Sequence, residues 1–546
     1  MRAWPAAALA AAVLASPVAA HAATPSGTSA TRTVVPGALI RPTDLNHPPL
    51  GHRLTPNQAL EIAIAVPKIQ RERAKYPGSH GEAYQKGVAA WQVSFFAAGA
   101  KRKEIAQVLI DDGSGAVLEA WTGYKVAWTM ARGYPGAFGR KVNSPWIWIP
   151  LSVLFVVPFV DPRRPWRWLH LDLLVLSAFS ISLAFFNDAN IDTSVPLVYP
   201  LLAYLLARTL ALALRRVPVE PVRLLVPASW LAIAVVFLVG FRVGLNAKSS
   251  NVIDVGYAGV IGADRLTHGK PLYGHFPSDN QHGDTYGPVV YEAYVPFEQI
   301  KPWHGTWDDL PAAHMAAITF DLLCALLLFL LGRRVRGPTL GIALAYAWVS
   351  YPFTLFASNS NTNDALVTVF LLAALLAAAQ PMARGAAAAL AGLTKFAPLA
   401  VAPVLATHNL PEGRRGRTIG RFIAGFVIAS AIVAIPVFFH DSLDAFYRRT
   451  IDFQASRGSP FSVWGLYDWT AAQHVVQTLA VGLAVALAFV PRRRDIAGLA
   501  AACAAVLIAL QLGVTHWFYL YLPWFFPLVM IGVLARGELT APRTEA

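Results

Sequence analysis

Cysteine and charge are both scarce in this chain. Of its 546 residues only two are cysteines, Cys324 and Cys503, and both sit inside apolar runs, which excludes a disulfide framework and a thiolate zinc site. Charged residues make up 14% against 55% hydrophobic residues, with a mean hydropathy of +0.47. That balance excludes a soluble globular protein and leaves a polytopic membrane protein. Acidic residues are the scarcer sign, 31 against 45 Lys and Arg, for a net charge of +14. The basic clusters fall in short loops between apolar segments, where they set topology rather than bind nucleic acid. An internal repeat is also missing, which weighs against a transporter built from two related halves.

The chain opens with one early arginine, an Ala/Val/Leu run and an A-x-A arrangement at Ala20 and Ala22, so residues 1–23 read as a secretory signal peptide. Residues 24–143 have the composition of a small soluble domain. Thr55 before Pro56 marks a capped helix start. Trp91, Val93 and Phe95 alternate, and Asp112-Gly113-Ser114-Gly115 separates two apolar runs as a hairpin turn does. The helix-then-strands order, with A-L-E-I-A and V-L-I-D-D-G-S-G-A-V-L, resembles the PepSY family of extracytoplasmic α+β domains. The resemblance implies an accessory role, with a protein as the possible partner.

From residue 144 onward apolar segments follow at lengths near the roughly 20 residues that span hydrocarbon. The expected spans are Trp146–Val160, Leu169–Phe186, Val195–Leu214, Leu224–Leu245, Ala312–Leu331, Thr339–Phe356, Ala365–Ala379, Phe422–Phe439, Ala471–Val490, Ile496–Val514 and Trp517–Ala535. Arginines collect in alternate loops, at Arg163/Arg164/Arg167, Arg215/Arg216/Arg223 and Arg333/Arg334/Arg336, as the positive-inside rule requires. The alternation survives only if the stretch 385–407, interrupted by Lys395 and Pro398, is a broken or re-entrant pair of half-helices. A charge at such a break must line a cavity or meet a partner. This places the N-terminal domain and two long polar loops, 246–311 and 440–468, on the extracytoplasmic side of the cytoplasmic membrane.

Those loops carry the residue types needed to move a group from an anionic lipid carrier to a hydroxyl. A carboxylate takes the acceptor proton, and Arg or Lys holds a phosphate by charge-assisted hydrogen bonds. Asp254, just behind a span, is the expected general base. Asp264 is the alternative, unless it pairs with Arg265. His275, Asp279, His282 and Asp284 have the chemistry of a divalent-metal site, but their irregular spacing in a Gly/Pro-rich loop reads as solvated polar residues. No metal or other cofactor is expected. Asp321, deep in a span, is either a functional acid or one half of a bundle ion pair.

The stretch N-V-I-D-V-G-Y-A-G-V-I-G-A-D-R-L-T-H-G-K-P-L-Y at 251–273 resembles the first large loop of the GT-C glycosyltransferases, nearest to glycosyltransferase family 87. Asp254, Tyr257, Gly269, Pro271 and Tyr273 match its pattern, and Thr285-Tyr286-Gly287-Pro288 departs by one residue from T-Y-P-P. A-L-A-G-L-T-K-F-A-P-L at 389–399, the run 446–466 and H-W-F-Y-L-Y-L-P at 516–523 resemble later elements of the family. The resemblance implies an all-α GT-C fold of about eleven spans plus the broken pair. It also implies an inverting transfer of a mannose- or arabinofuranose-type sugar from a polyprenyl phosphate to a glycan or glycolipid. Asp254 would be the base; Lys395, Arg457 and His516, with Arg448 and Arg449, would hold the donor phosphate. Tyr257, Asp264, Tyr273, Tyr286, Asn363 and Asp364 would contact substrate. The bland alternatives are lipid-headgroup anchors for Arg448 and Arg449 and an aromatic belt around His516. The competing function is a transporter or lipid-carrier flippase, which also uses broken helices.

Overall fold

A computed structural model describes residues 39–540 except 87–88, 100–102, 124–125, 127–136, 215–221, 491–494 and 537–538. The expected signal segment 1–23 and the basic loop at 492–494 lie outside the described residues. The chain divides into two compact units, one of them centred on residues 19–137 and the other containing the apolar helices.

In the first unit, helices Pro56–Ala65 and Pro67–Ala74 lie in the chain between the first and second strands of an antiparallel sheet. Its strands, β1 (Leu39–Ile40), β2 (His80–Lys86), β3 (Ala90–Phe96), β4 (Glu104–Asp111) and β5 (Val117–Thr122), lie in sequence order. Thr55 and Gln58 form a reciprocal capping box around Pro56 at the helix start, which satisfies N–H groups that the first turn leaves unpaired. Trp91, Val93 and Phe95 are fully buried against Ala59, Ala63 and Ile69 of the helices. The Asp112 carboxylate ties the centre together, accepting from Arg53 N, Leu54 N and Trp91 Nε1.

Among the described residues of the second unit seven helices are long and apolar enough to cross a membrane: Trp168–Asn187, Ile191–Ala213, Ala228–Lys248, Pro311–Arg336, Arg415–Phe438, Thr470–Phe489 and Ile496–Gly513. Pro338–Ser350 and Pro352–Asn359 form an eighth, bent by 58°. The bend falls where Pro352 removes an N–H from the helical ladder. Three further expected spans are shorter apolar helices, within 145–159, 364–376 and 519–534. The eleven expected segments are thus present as helices, but proline and polar residues cut four of them below or across a simple span.

Two features hold this bundle together inside its apolar core. Arg242 and Asp321 face each other across two helices, with Arg242 Nε 2.9 Å from Asp321 Oδ2. Trp348 Nε1 adds a hydrogen bond of 2.9 Å to the same carboxylate. Asp321 is therefore the bundle ion pair of the two readings given above. Between the helices Trp168–Asn187 and Ile191–Ala213, Arg208 Nε and Tyr204 hydroxyl both donate to the buried Asp172. Neither pair is solvent-reachable, and a buried carboxylate in an apolar bundle requires such a partner.

Candidate active site

The helix Asp254–Thr267 is held by what it lacks. Gly256, Gly259 and Gly262 recur every three residues, and a Cβ at these positions would fall 2.1 Å from Asn361 O and into the rings of Tyr294 and Tyr291. The bare stripe lets the helix lie directly on the 359–363 turn and on the helix Pro288–Ile300. Backbone N–H groups of Asn251 and Ile253 donate to Asn359 and Ser360 carbonyls at 3.2 and 3.3 Å. Asn361, in the left-handed region with φ +50, donates to Ser250 Oγ and Asn251 O and accepts from Asn246. Asn and Asp tolerate that conformation better than other non-glycine residues. Asp254 is thereby fixed at the first helical position, where the helix dipole favours its ionised form.

Asp254 keeps accessible surface, yet the surrounding protein desolvates it enough to push its pKa up, against the Val255 N–H and the charges of Arg457 and Lys395, which pull it down. Access combined with desolvation describes the wall of a cleft rather than a convex surface. Asp364 adds a second, repulsive carboxylate to the same neighbourhood.

Lys395 occupies the break expected at this position. The helix Pro381–Thr394 ends at it, and the chain turns extended there (φ −140, ψ 136) before continuing at 397. Its Nζ lies 2.6 Å from Asp364 Oδ1 and over the rings of Tyr286, Trp524 and Tyr521 at 5.3, 5.4 and 5.7 Å. Trp524 Nε1 donates to the same Asp364 oxygen at 2.9 Å. Tyr286 reaches this box because Gly287 packs on the end of the broken helix, its N–H on Thr394 O at 3.3 Å. A Cβ at 287 would lie 1.9 Å from Leu393 O. The departure from T-Y-P-P therefore coincides with the closest backbone approach in the site.

Arg457 stands at the end of a short helical run in the second polar loop, partly accessible. It makes no hydrogen bond or ion pair with any described residue, although its charge acts on Asp254, Tyr286 and His516. His516 hydrogen-bonds Ser459 Oγ through Nδ1 at 2.9 Å. Burial, then the charges of Arg457 and Lys395, lower its pKa to about 3, so at neutral pH it offers hydrogen bonds but no charge.

The structure thus brings together Asp254, Tyr286, Asp364, Lys395, Arg457 and His516. It sets the other expected residues apart. Arg448 pairs with Asp444 within its own exposed helix, and Arg449 grips the fully buried Asp284. Asp264 faces His268 at 3.2 Å. The Tyr273 hydroxyl donates to Tyr286 O at 3.2 Å, a brace behind the site rather than a wall of it. Tyr257 is buried, donating to Asp279 at 3.2 Å. Asn363 is buried as well, and neither of its amide atoms has a hydrogen-bond partner among the described residues; within the cluster one oxygen of the buried Asp364 likewise has none. Asp279, Asp284 and His282 diverge, to Tyr257, Arg449 and the Phe453 ring. Among the described residues no three His, Cys, Asp or Glu side chains converge as a metal site. Sequence reasoning missed Tyr521 and Trp524, whose signal was their place just after His516 in an aromatic-rich run.

Residues 285–520 match the model of glycosyltransferase family 87. The match begins at the Tyr286 turn and takes in the Lys395 break, the Arg457 loop and His516. The matched stretch is thus similar to a glycosyltransferase family over part of the helical unit. No curated protein matches the chain.

Proposed function

We propose that the helical unit, part of which resembles glycosyltransferase family 87, transfers a sugar from a polyprenyl phosphate to a hydroxyl of a cell-envelope glycan or glycolipid, with inversion, on the extracytoplasmic face of the cytoplasmic membrane. The observation that carries this reading is an accessible, desolvated carboxylate, Asp254, under the field of a guanidinium, Arg457, that has no hydrogen-bond or ion-pair partner among the described residues. The acceptor oxygen attacks the anomeric carbon while its proton passes to Asp254. The bond from that carbon to the phosphate oxygen breaks, and its electron pair leaves with the phosphate. Arg457 meets the charge that develops there. Desolvation makes Asp254 a stronger base than a solvated carboxylate. His516 supplies a neutral hydrogen bond, and Lys395, held by Asp364, adds its field.

A mannose- or arabinofuranose-type sugar fits the family resemblance. The N-terminal α+β unit, in this reading, is a PepSY-like accessory that binds a protein partner. In-membrane crosslinking from its surface tests that role, and recovery of no crosslinked partner counts against it.

The transfer itself is tested with purified protein in lipid vesicles, labelled polyprenyl-phosphate sugar and membrane acceptors. Transfer by wild type and none by Asp254→Asn is expected, because an amide cannot accept the proton. Unchanged transfer by the variant removes Asp254 as base. Movement of the lipid across the bilayer without covalent transfer favours the flippase reading.

A further inference from the structure

Beside Asp254 stands an aromatic group that the transfer chemistry above does not use. Trp307 is 41% exposed. One face of its ring is stacked on Tyr257, with centroids 4.8 Å apart and planes 30° apart, and Trp303 meets the same tyrosine edge-on at 5.8 Å. Trp307 Nε1 donates to Val252 O at 3.1 Å, which pins the indole two residues from Asp254. From the other side Asn280 donates to the carbonyl of Asp254 at 2.9 Å. Its neighbour Asp279 is exposed, with one oxygen taken by Tyr257. The segment that carries both tryptophans is braced internally, Trp303 Nε1 on Thr306 O and Leu310 N on Asp308.

An interfacial tryptophan anchor turns its N–H toward headgroups and sits among apolar or basic residues. Here the N–H is directed into the protein, and the ring, stacked by one face on Tyr257, stays 41% exposed. The surrounding His304, Thr306, Asp308 and Asp309 are all exposed, and the two acids would be repelled by anionic lipid. An open aromatic face beside an exposed carboxylate suits a sugar ring. Its axial C–H groups pack on the π surface, and its hydroxyls donate to the acid.

We propose that Trp307, backed by Tyr257 and flanked by Trp303 and Asp279, is a stacking platform for a sugar ring of the acceptor, positioning its hydroxyl at Asp254. This rests on the transfer reading above, and it assigns the acceptor to the class of hydroxyl-rich glycosides rather than lipid alcohols or peptides.

The test uses the full chain in vesicles, with octyl α-mannoside and octyl α-arabinofuranoside as acceptor probes. Trp307→Ala should raise the acceptor KM roughly five- to tenfold, the size of one lost aromatic contact, and leave the donor KM unchanged. Trp307→Phe should restore most of the affinity. A merely structural role would move both KM values together and overturn the proposal, as would an unchanged acceptor KM. In parallel, the fluorescence difference between wild type and Trp307→Phe should respond to methyl α-mannoside and not to brominated phosphatidylcholine in the bilayer. Quenching by the brominated lipid alone overturns the platform in favour of a membrane anchor. If wild type transfers no sugar, the transfer reading fails, and the fluorescence difference still decides whether the platform binds a glycoside.

Discussion

Arg449 and Asp284, 165 residues apart in sequence, form a two-pronged ion pair with both contacts at 2.7 Å. The pair joins the two polar loops. Asp284 also accepts from Gly274 N, and Asp441 takes the N–H groups of Leu272 and Tyr273 at 2.7 and 2.9 Å. Tyr286 lies two residues beyond one partner and Arg457 eight beyond the other, so the latch positions two members of the site without touching a substrate.

Arg449→Ala should therefore leave Asp284 buried and unpaired, at a cost of about 3 kcal/mol. The expected outcome is faster proteolysis within 440–468, a lower melting temperature and a large loss of transfer. Exchanging the two residues, Asp284→Arg with Arg449→Asp, should recover part of each. Unfolding curves and protease digestion of the three proteins check it, and a swap no better than the single change would refute the latch.

Arg457 behaves in the opposite way. With no hydrogen-bond or ion-pair partner among the described residues, its removal costs the fold nothing specific, so Arg457→Ala should keep the wild-type melting temperature. The loss of a charge-assisted contact to phosphate, about 1.5–3 kcal/mol, should appear as a roughly ten- to hundredfold loss in kcat/KM for the donor. Lysine at 457, a point charge without the planar fork, should restore only part. A melting temperature that falls with the activity would assign Arg457 to structure.

Asp254 gives a pH prediction with a definite sign. Its folded pKa is raised above 3.8, so the native state binds more protons than the unfolded state between those two values. Stability contributed by this group falls as pH rises through that window, and above it the ionised carboxylate is a standing penalty. Asp254→Asn should then melt higher than wild type at neutral pH while losing transfer, the trade-off expected of a catalytic group. The acidic limb of the wild-type rate profile should sit above the range of a solvated aspartate. Equal melting temperatures would show that the carboxylate is not desolvated.

Gly287→Ala tests the closest approach in the site. The added methyl would meet Leu393 O, backbone that cannot swing aside as a side chain does. Displacement of Tyr286 from Lys395 should lower kcat with little change in helix content by circular dichroism. Wild-type kcat would show that the turn has room to shift.

Much of this was legible in the sequence. Apolar run length gave the helices, Lys395 and Pro398 in one stretch gave the break, and Thr55-Pro56 with the 112–115 turn gave the α+β unit its cap and its β4–β5 connection. Asp254 stands out by residue type and by its place behind a span, and the resemblance to family 87 points to Lys395, Arg457 and His516. What escaped depends on long-range pairing, which periodicity does not carry. The partners of Arg448, Arg449 and Asp321 are decided by packing, and so is the burial of Asn363 and Asp364. The neutrality of His516 follows from desolvation and two neighbouring cations, and a residue name contains neither. Nothing in the sequence around Trp303 and Trp307 announces that the fold sets them beside Asp254.

Lys395 spends its ammonium on Asp364 and on three aromatic faces. In charge arithmetic the pair is neutral, and among the described residues of the cluster Arg457 alone remains uncommitted. In the proposed transfer, a pocket so balanced would suit a carrier joined through a single phosphate better than one joined through a pyrophosphate, whose extra negative charge would find no counterpart. It would also release the spent carrier readily, since one guanidinium is a light tether for a departing lipid.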